Sequence, residues 1–409
     1  MENKVAVTGN SGPRIRSDCE ITLELKTEGG IVIELHSKVK SLYGASIMEQ
    51  CHTILDFLGV GNAFLSVKDS GALPFVISAR IEAAVKQLIP GCPEYLPEMA
   101  EGIRTLSSPD RFRFTRLYIP GNTPSMMINA GLHSADGIIL DLEDSVAPPK
   151  KAEARILVRN ALRQIDFRGA ERMVRINQGQ SGLEDLDWII PHHVNLILVP
   201  KCEDAEQIRI INLKIQDIKD RCRITDPVFI MPIIESALGI ERAFDIARAS
   251  ENVVAMAIGL EDFTADLGVP RTDDGKESLY ARCRLVNAAK AAGIQPIDSV
   301  FSDVDDEDAL KKSVTLSKSL GFEGMGCIHP RQIAIIQKGF EPNPEEIEKA
   351  VKIVSAFAEA EKNGAGVVAL GSKMIDPPVV KRARKTLTLA AKLGIISASL
   401  MDNEIVLPG

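Results

Sequence analysis

No run of this sequence is apolar over the roughly 20 residues that a membrane-spanning helix needs. The opening residues, MENKVAVTGN, also lack the apolar core of a secretory signal, so cytoplasm is the expected compartment and no membrane partner is expected. Positive charge is short as well. Lys and Arg number 48 against 56 Asp and Glu, and the formal net charge of -8 argues against a nucleic-acid partner gripped through its phosphates. The 7 cysteines are scattered without a C-x-x-C pair, which speaks against a disulfide scaffold or zinc cluster and for isolated reduced thiols. No strand-like segment leads into G-x-G-x-x-G or a P-loop, which weakens a nucleotide-binding reading. Tandem repeats with a shared signature are missing too.

What is present divides along the chain. Residues 1–89 alternate at period two in CEITLEL and GIVIELHS, turn helical through GASIMEQCHTILDFLGV, and then give a strand, AFLSVKDSG, and a second helix, VISARIEAAVKQLI. That predicts a small α+β unit. Residues 90–114, with Pro90, Pro93 and Pro97 close together, read as a linker. From Thr115 eight apolar segments follow: RLYIPG, GIILDLED, RMVRIN, LILVPK, VFIMPIIES, VVAMAIGLED, PIDSVFSD and GMGCIHP. Amphipathic stretches such as PPKKAEARILVRNALRQI separate most of them. The alternation predicts an α/β fold, a (β/α)8 TIM barrel over residues 115–340, with a helical extension over 341–409.

In such a barrel the chemistry sits at the C-terminal ends of the strands. Polar residues collect there: Asp141, Glu143 and Asp144 after the second strand, Arg175 and Asn177 after the third, Lys201 after the fourth. Glu235 follows the fifth, Glu261 and Asp262 the sixth, Asp298 and Asp303 the seventh, and His329 the eighth. A buried strand does not end on bare charge unless something positive waits for it. Glu235 and Asp262, with no His or Cys beside them, suit a hard cation such as Mg2+, and Arg175 adds fixed positive charge. Any one acid taken alone could as well cap a helix or join a rim ion pair. The acidic run DVDDEDALKK reads as a solvated helix start.

Between Thr115 and Leu393 the motifs LYIPGNTPSMM, DGIILDLEDSVAPPKKAEAR, MVRIN, VPKCEDA, IESALGIERAFDIA, IGLEDFTADLGVPRT, FEGMGCIHPRQI and GSKMIDPPVVKRAR recur in order. They resemble the citrate lyase β-subunit family of the HpcH/HpaI aldolase superfamily. The resemblance implies a Mg2+-binding barrel with Glu235 and Asp262 as metal ligands. It also implies Arg175, Asn177 and Glu235 as substrate-binding residues, with Glu143 and Asp144 supporting the site. Asp376, in KMIDPP, is implied as a proton-transfer residue reaching a neighbouring subunit, which calls for a homo-oligomer, a trimer or hexamer. Locally, Asp376 reads equally well as the N-cap of the helix starting at Pro377-Pro378. Relatives that act on free coenzyme A esters often carry Arg-Pro-x-Arg after the first strand, whereas this chain has GNTPSMM, like the carrier-dependent form.

Residues 4–88, through AVTG, SLYGASI and VKDSGALPFVISARIEAA, resemble the acyl carrier γ-subunit family of the same complexes. That family carries a phosphoribosyl-dephospho-coenzyme A prosthetic group on a serine in a Glu-Ser-[Ser/Gly]-Asp context. Here the region reads TGNSGPRIRSDCEI, with extra residues after Gly9 and no Glu-Ser pair. Alignment through the next strand puts Arg16 near the expected serine, with Ser17 beside it and Asp18 kept. Ser17 is the expected attachment site on a mobile turn, Ser11 is its rival, and an unmodified docking domain is the third reading. The implied activity is cleavage of a citryl thioester on the carrier to oxaloacetate and an acetyl thioester, with a citrate lyase α subunit as acyl-carrier-transferase partner. A citramalyl thioester releasing pyruvate is the alternative. The linker is expected to let the loaded domain swing.

Overall fold

Strand alternation and helical periodicity build the N-terminal part as the patterns predict, with one addition. In the computed structural model, which describes residues 4–362, 366–370 and 373–397, β1 (Val5–Gly9) precedes β2 (Cys19–Leu25), β3 (Ile31–Ser37), α1 (Lys40–Phe57), β4 (Ala63–Asp69) and α2 (Pro74–Leu88). The sheet order is β1-β2-β4-β3, with β3 and β4 parallel and the other pairs antiparallel. β1 is the strand the alternation missed. It is five residues long at the sheet edge, too short for period two to stand out. Ile21, Leu23, Leu65 and Val67 point from the sheet onto Ile47, Ile54, Ile77 and Ile81 of the two helices.

The barrel strands are β5 (Thr115–Pro120), β6 (Gly137–Asp141), β7 (Glu171–Arg175), β8 (Leu196–Val199), β9 (Phe229–Ile234), β10 (Ala255–Ile258), β11 (Gln295–Ile297) and β12 (Met325–Cys327). Each corresponds to one of the eight expected segments. They form an eight-stranded parallel sheet in the order β11-β10-β9-β8-β7-β6-β5-β12, and a bridge between Asp298 and Met325 closes the ring. β6, β8 and β9 are buried at every position, as strands covered on both sides must be. Around them lie α3 (Pro124–Met127), α4 (Lys151–Gln164), α5 (Gly179–Ile189), α6 (Ala205–Cys222), α7 (Ala237–Glu241), α8 (Ala243–Ala247), α9 (Leu260–Leu267), α10 (Leu279–Ala292), α11 (Glu307–Leu320) and α12 (Arg331–Phe340). Asp306 caps α11 by accepting from the Ala309 amide, so the acidic run is a helix start as expected.

The described residues fall into two compact units divided after Ile336. In the second, α13 (Pro344–Lys362) and α14 (Pro377–Lys392) pack through Val354, Phe357, Val380 and Leu387, with a hairpin of β13 (Val368–Leu370) and β14 (Lys373–Ile375) between them in sequence. No helix among the described residues is long and apolar enough to cross a membrane.

In this structure the N-terminal part is fastened to the barrel by direct contacts. Helix α2 is buried from Phe75 through Val85, with one face on its own sheet and the other against α4 of the barrel. Across that second face Arg159 grips Glu82 with two hydrogen bonds, of 3.0 and 2.6 Å, and Asn160 donates to the Phe75 carbonyl and to Ser78. Residues 90–114 form an irregular segment that is pinned rather than loose. Arg159 donates to the Tyr95 carbonyl, Arg163 to Pro97, Arg172 to Ile103 and Asn195 to Thr105. Arg113, at the end of the segment, is fully buried in a two-pronged pair with Glu171. No helix or strand lies between Leu88 and Thr115, and proline content carries no information about the arginines that fasten this segment.

Candidate functional site

The strand ends converge on a cavity of about 350 Å3 at the mouth of the barrel, lined among others by Asp141, Arg175, Glu235, Glu261, Asp262 and Asp298. Arg175 ends β7 and is turned by Asp141, the last residue of β6. Nε and Nη2 donate to the two Asp141 oxygens at 2.7 Å each, and Nη1 lies 3.1 Å from Glu143. Burial works against both charges, but their mutual hydrogen bonds win, lowering the Asp141 pKa and raising that of Arg175. The Tyr118 ring lies 5.4 Å from the guanidinium and fixes its plane further. One edge of the fork is therefore committed to Asp141, and the outer protons on Nη1 and Nη2 are what a ligand can meet.

Glu235 follows β9 and is almost wholly buried. Its Oε2 accepts from the Lys201 amide at 2.8 Å, a contact that Lys201 makes with a left-handed φ of 46°. Desolvation pushes its carboxyl up to about 7, opposed by the Lys201 amide and aided by Asp262. Gly259 makes room for it, because a Cβ there would lie 2.3 Å from Glu235 Oε1. Asp262, in the first turn of α9, is half exposed at the same cavity. The Lys201 ammonium reaches in among the acids, 3.2 Å from Glu143, 3.3 Å from Asp144 and 3.9 Å from Asp262. Burial would lower its pKa, but these carboxylates raise it.

Of the expected residues, Arg175, Glu235 and Asp262 share the cavity. Glu143 stands behind them, buried, holding Gln178, Lys201 and Arg175, and Asp144 is an exposed partner of Lys201. Asn177 is not among the residues that line the cavity. Its amide groups donate to Asp185 and its oxygen accepts from Lys151, which also holds the Leu142 and Glu143 carbonyls, so it braces the loop after β6. Asp298 is paired with Arg282, and His329 accepts from the Arg331 amide. Asp376 belongs to the second unit and caps α14 through the Val379 amide, as its local sequence predicts. Ser17 has a left-handed φ of 56°, is half-buried, and donates its amide to Ser70; Ser11 donates to Glu20. Both serines thus have partners within the N-terminal fold. Lys201 and Asp141 were visible as strand-end polar residues, but their work of orienting Glu235 and Arg175 is set by backbone geometry that composition does not report.

Could these residues hold a cation? Among the described residues no group of three or more His, Cys, Asp or Glu forms a ready cage. Mg2+ does not need one. It binds through one or two carboxylates and keeps the rest of its octahedron for water and ligand. A buried carboxylate whose pKa is raised, beside a half-exposed one, is a donor set that fits.

Residues 115–330 match the family described as HpcH/HpaI aldolase/citrate lyase, and residues 6–88 match the carrier family described as malonate decarboxylase delta subunit (MdcD). The chain is 38% identical over 288 residues to the citrate lyase subunit beta of Haemophilus influenzae, covering 70% of this chain and 99% of that one. It is 34% identical over 293 residues to the mitochondrial citramalyl-CoA lyase of Mus musculus, covering 68% and 86%. It is also similar to the solved structure of CitE from Mycobacterium tuberculosis in complex with magnesium, acetoacetate and coenzyme A. That likeness has 28% identity and a TM-score of 0.58, and covers 68% of this chain and 98% of that chain.

Proposed function

The chain belongs to the HpcH/HpaI aldolase/citrate lyase family and is a carbon–carbon lyase, and from that premise we propose that it cleaves a citryl thioester, borne on its own N-terminal domain, to oxaloacetate and an acetyl thioester. The observation that carries this reading is the fastening of a carrier-like fold to the barrel whose mouth holds Arg175, Glu235 and Asp262. Arg80 of α2 grips Asp18, next to Ser17, at 3.0 Å, and the same guanidinium donates to the Asn122 carbonyl in the loop after β5, at the cavity end of that strand. Asp18, the neighbour of Ser17, is thus one arginine away from the loop after β5, and a flexible arm attached at Ser17 would do the moving.

In the reaction the bond between the hydroxyl-bearing carbon and the thioester α-carbon breaks. The hydroxyl proton goes to a base, the bond's electron pair forms the acetyl thioester enolate, and a proton returned to the α-carbon completes the acetyl group. Glu235 and Asp262 would hold Mg2+, which when bound supplies Lewis-acid polarisation of the hydroxyl and its neighbouring carboxylate. Arg175, pre-aimed by Asp141, presents its outer protons to the keto-acid carboxylate. Lys201 keeps Glu235 turned toward the cavity through its amide. Asp376 of a neighbouring copy in a trimer or hexamer is the proposed proton carrier, and a citrate lyase α subunit is the proposed partner that loads the carrier.

Purified chain with Mg2+ and a citryl thioester should release oxaloacetate, read by a coupled dehydrogenase; a keto acid from a citramalyl but not from a citryl thioester would defeat the citryl reading. Arg175→Lys keeps charge but cannot pair with Asp141 side-on, so turnover should fall more than about tenfold. Wild-type kinetics in that variant would make Arg175 a rim residue. For the carrier, peptide mass spectrometry on protein from the native host should find a phosphoribosyl-dephospho-coenzyme A adduct on Ser17, lost in Ser17→Ala. An adduct on Ser11 moves the site, and no adduct makes the domain a docking module.

A further inference from the structure

The cavity has a cation at its floor that none of the roles above uses. Arg116 lies on β5 two residues before Tyr118, so both point into the barrel. It is 1% exposed, and its guanidinium crosses the barrel to the opposite wall, where Nη1 lies 3.0 Å from the Met231 sulfur of β9. Its other contact is a long one, Nη2 to the Asp298 carbonyl at 3.5 Å, and Nε has no partner. The residues beside it in register are Gly137 of β6 and Gly326 of β12, so neither register neighbour offers it a polar partner.

The nearby carboxylates are already taken. Asp141 holds Arg175, Glu171 holds Arg113, and Asp298 holds Arg282. Arg172, the other buried arginine of the barrel strands, has the carbonyls of Ile103, Leu162 and His192. Among the described residues, then, Arg116 is a buried guanidinium facing a cavity with no carboxylate of its own and one bare N–H. A thioether and a long carbonyl contact do not compensate for the water it has lost. An anionic ligand group would.

The geometry points to Arg116 as the anion site on the cavity floor, taking the carboxylate of a carboxymethyl-bearing acyl group and so selecting citryl over citramalyl thioesters. The identity of the ligand rests on the lyase reading above. A citryl group carries that distal carboxylate on a carboxymethyl arm, whereas a citramalyl group has a methyl in place of the whole arm. With Arg175 and the acids of the mouth engaging the hydroxyl-acid end, Arg116 meets the part of the substrate in which the two candidates differ. A site built around a buried donor rejects an analogue lacking the acceptor far more strongly than it would reject a missing methylene.

The test uses the full chain with Mg2+ and two readouts, wild type against Arg116→Met. Calorimetric titration with freshly prepared oxaloacetate or pyruvate should show wild type binding oxaloacetate at least about tenfold more tightly, and the variant should lose that preference. In turnover, Arg116→Met should lose about a hundredfold in kcat/KM for citryl-coenzyme A and change little for citramalyl-coenzyme A. Methionine nearly fills the arginine volume and removes an unpaired buried charge, so the variant should melt no lower than wild type. Unchanged keto-acid preference in Arg116→Met, no binding of either keto acid to wild type, or a wild-type preference for citramalyl substrate each overturn the proposal. Discrimination between the keto acids without cleavage of either thioester would keep the anion site and sink the lyase reading instead.

Discussion

Glu235→Gln and Asp262→Asn should each lose Mg2+-supported turnover by about a thousandfold or more, equivalent to ~4 kcal/mol of transition-state stabilisation. Both substitutions keep shape. A glutamine at 235 can still accept from the Lys201 amide through its oxygen, so the loop after β8 stays where it is. Circular dichroism should be unchanged while calorimetric Mg2+ titration goes flat. If either variant keeps Mg2+ affinity within about twofold of wild type, the ion is held elsewhere.

The same carboxylate gives the site a pH signature. Burial pushes the Glu235 carboxyl from its ordinary 4.5 up to about 7, so between those values the metal-free folded protein holds a proton that the unfolded chain has released. Raising pH through this window therefore removes stability from the metal-free protein. Mg2+ needs the carboxylate ionised, so its apparent affinity should weaken below pH 7, by about tenfold per unit when one proton is displaced. Melting curves with and without Mg2+ should diverge as pH rises from 5 to 8. Parallel curves would show that Glu235 is not a ligand.

The second large effect is expected at the seam between the carrier-like fold and the barrel. Arg80→Met leaves Asp18 and Glu153, both 2% exposed, without the guanidinium that lies between them. Glu153 would keep the Gly9 amide and Lys150, and Asp18 would keep Asn10 and its own local amide. Two buried acids would still face each other across the interface. Breaking a buried pair by removing one partner should reduce unfolding free energy by about 3 kcal/mol or more, read as a lowered urea midpoint. Adding Asp18→Asn and Glu153→Gln should recover much of the loss, because the stranded charges are then gone. An unchanged midpoint in Arg80→Met would mean that the seam is held by apolar packing alone. Breaking the exposed Arg104–Asp226 pair should leave the midpoint where it was.

The strands were legible because a barrel buries both faces of each one, so LILV and FIMPII read as unbroken apolar runs ending in charge. Glu235 and Asp262 could be named for the same reason: a carboxylate at the end of such a run is conspicuous. Arg116 was in plain view in RLYIPG and yielded nothing, since an arginine inside a strand looks like a surface residue until register and curvature turn it inward. The contacts of Asn177 could not be read from its position either. Its position after β7 suggested the cavity, but Asp185, eight positions on, captured its amide. The seam was hidden too, because Glu82 and Arg159 are far apart in sequence and each looks like an ordinary solvated helix charge. Pairing across such distances is a property of packing, which local periodicity cannot carry.

The mixed outer face of α2 has a consequence for how the chain is made. During vectorial synthesis the first 89 residues emerge before α4 exists, and the N-terminal sheet can already cover Ile77 and Ile81. What remains uncovered then includes Phe75, Val76, Ala79 and Ala83 together with Ser78 and Glu82, and water satisfies only the last two. An apolar face at that position would be sticky while the ribosome completed the barrel. A mixed one is less so, because Ser78 and Glu82 stay hydrated until Arg159 and Asn160 arrive to claim them.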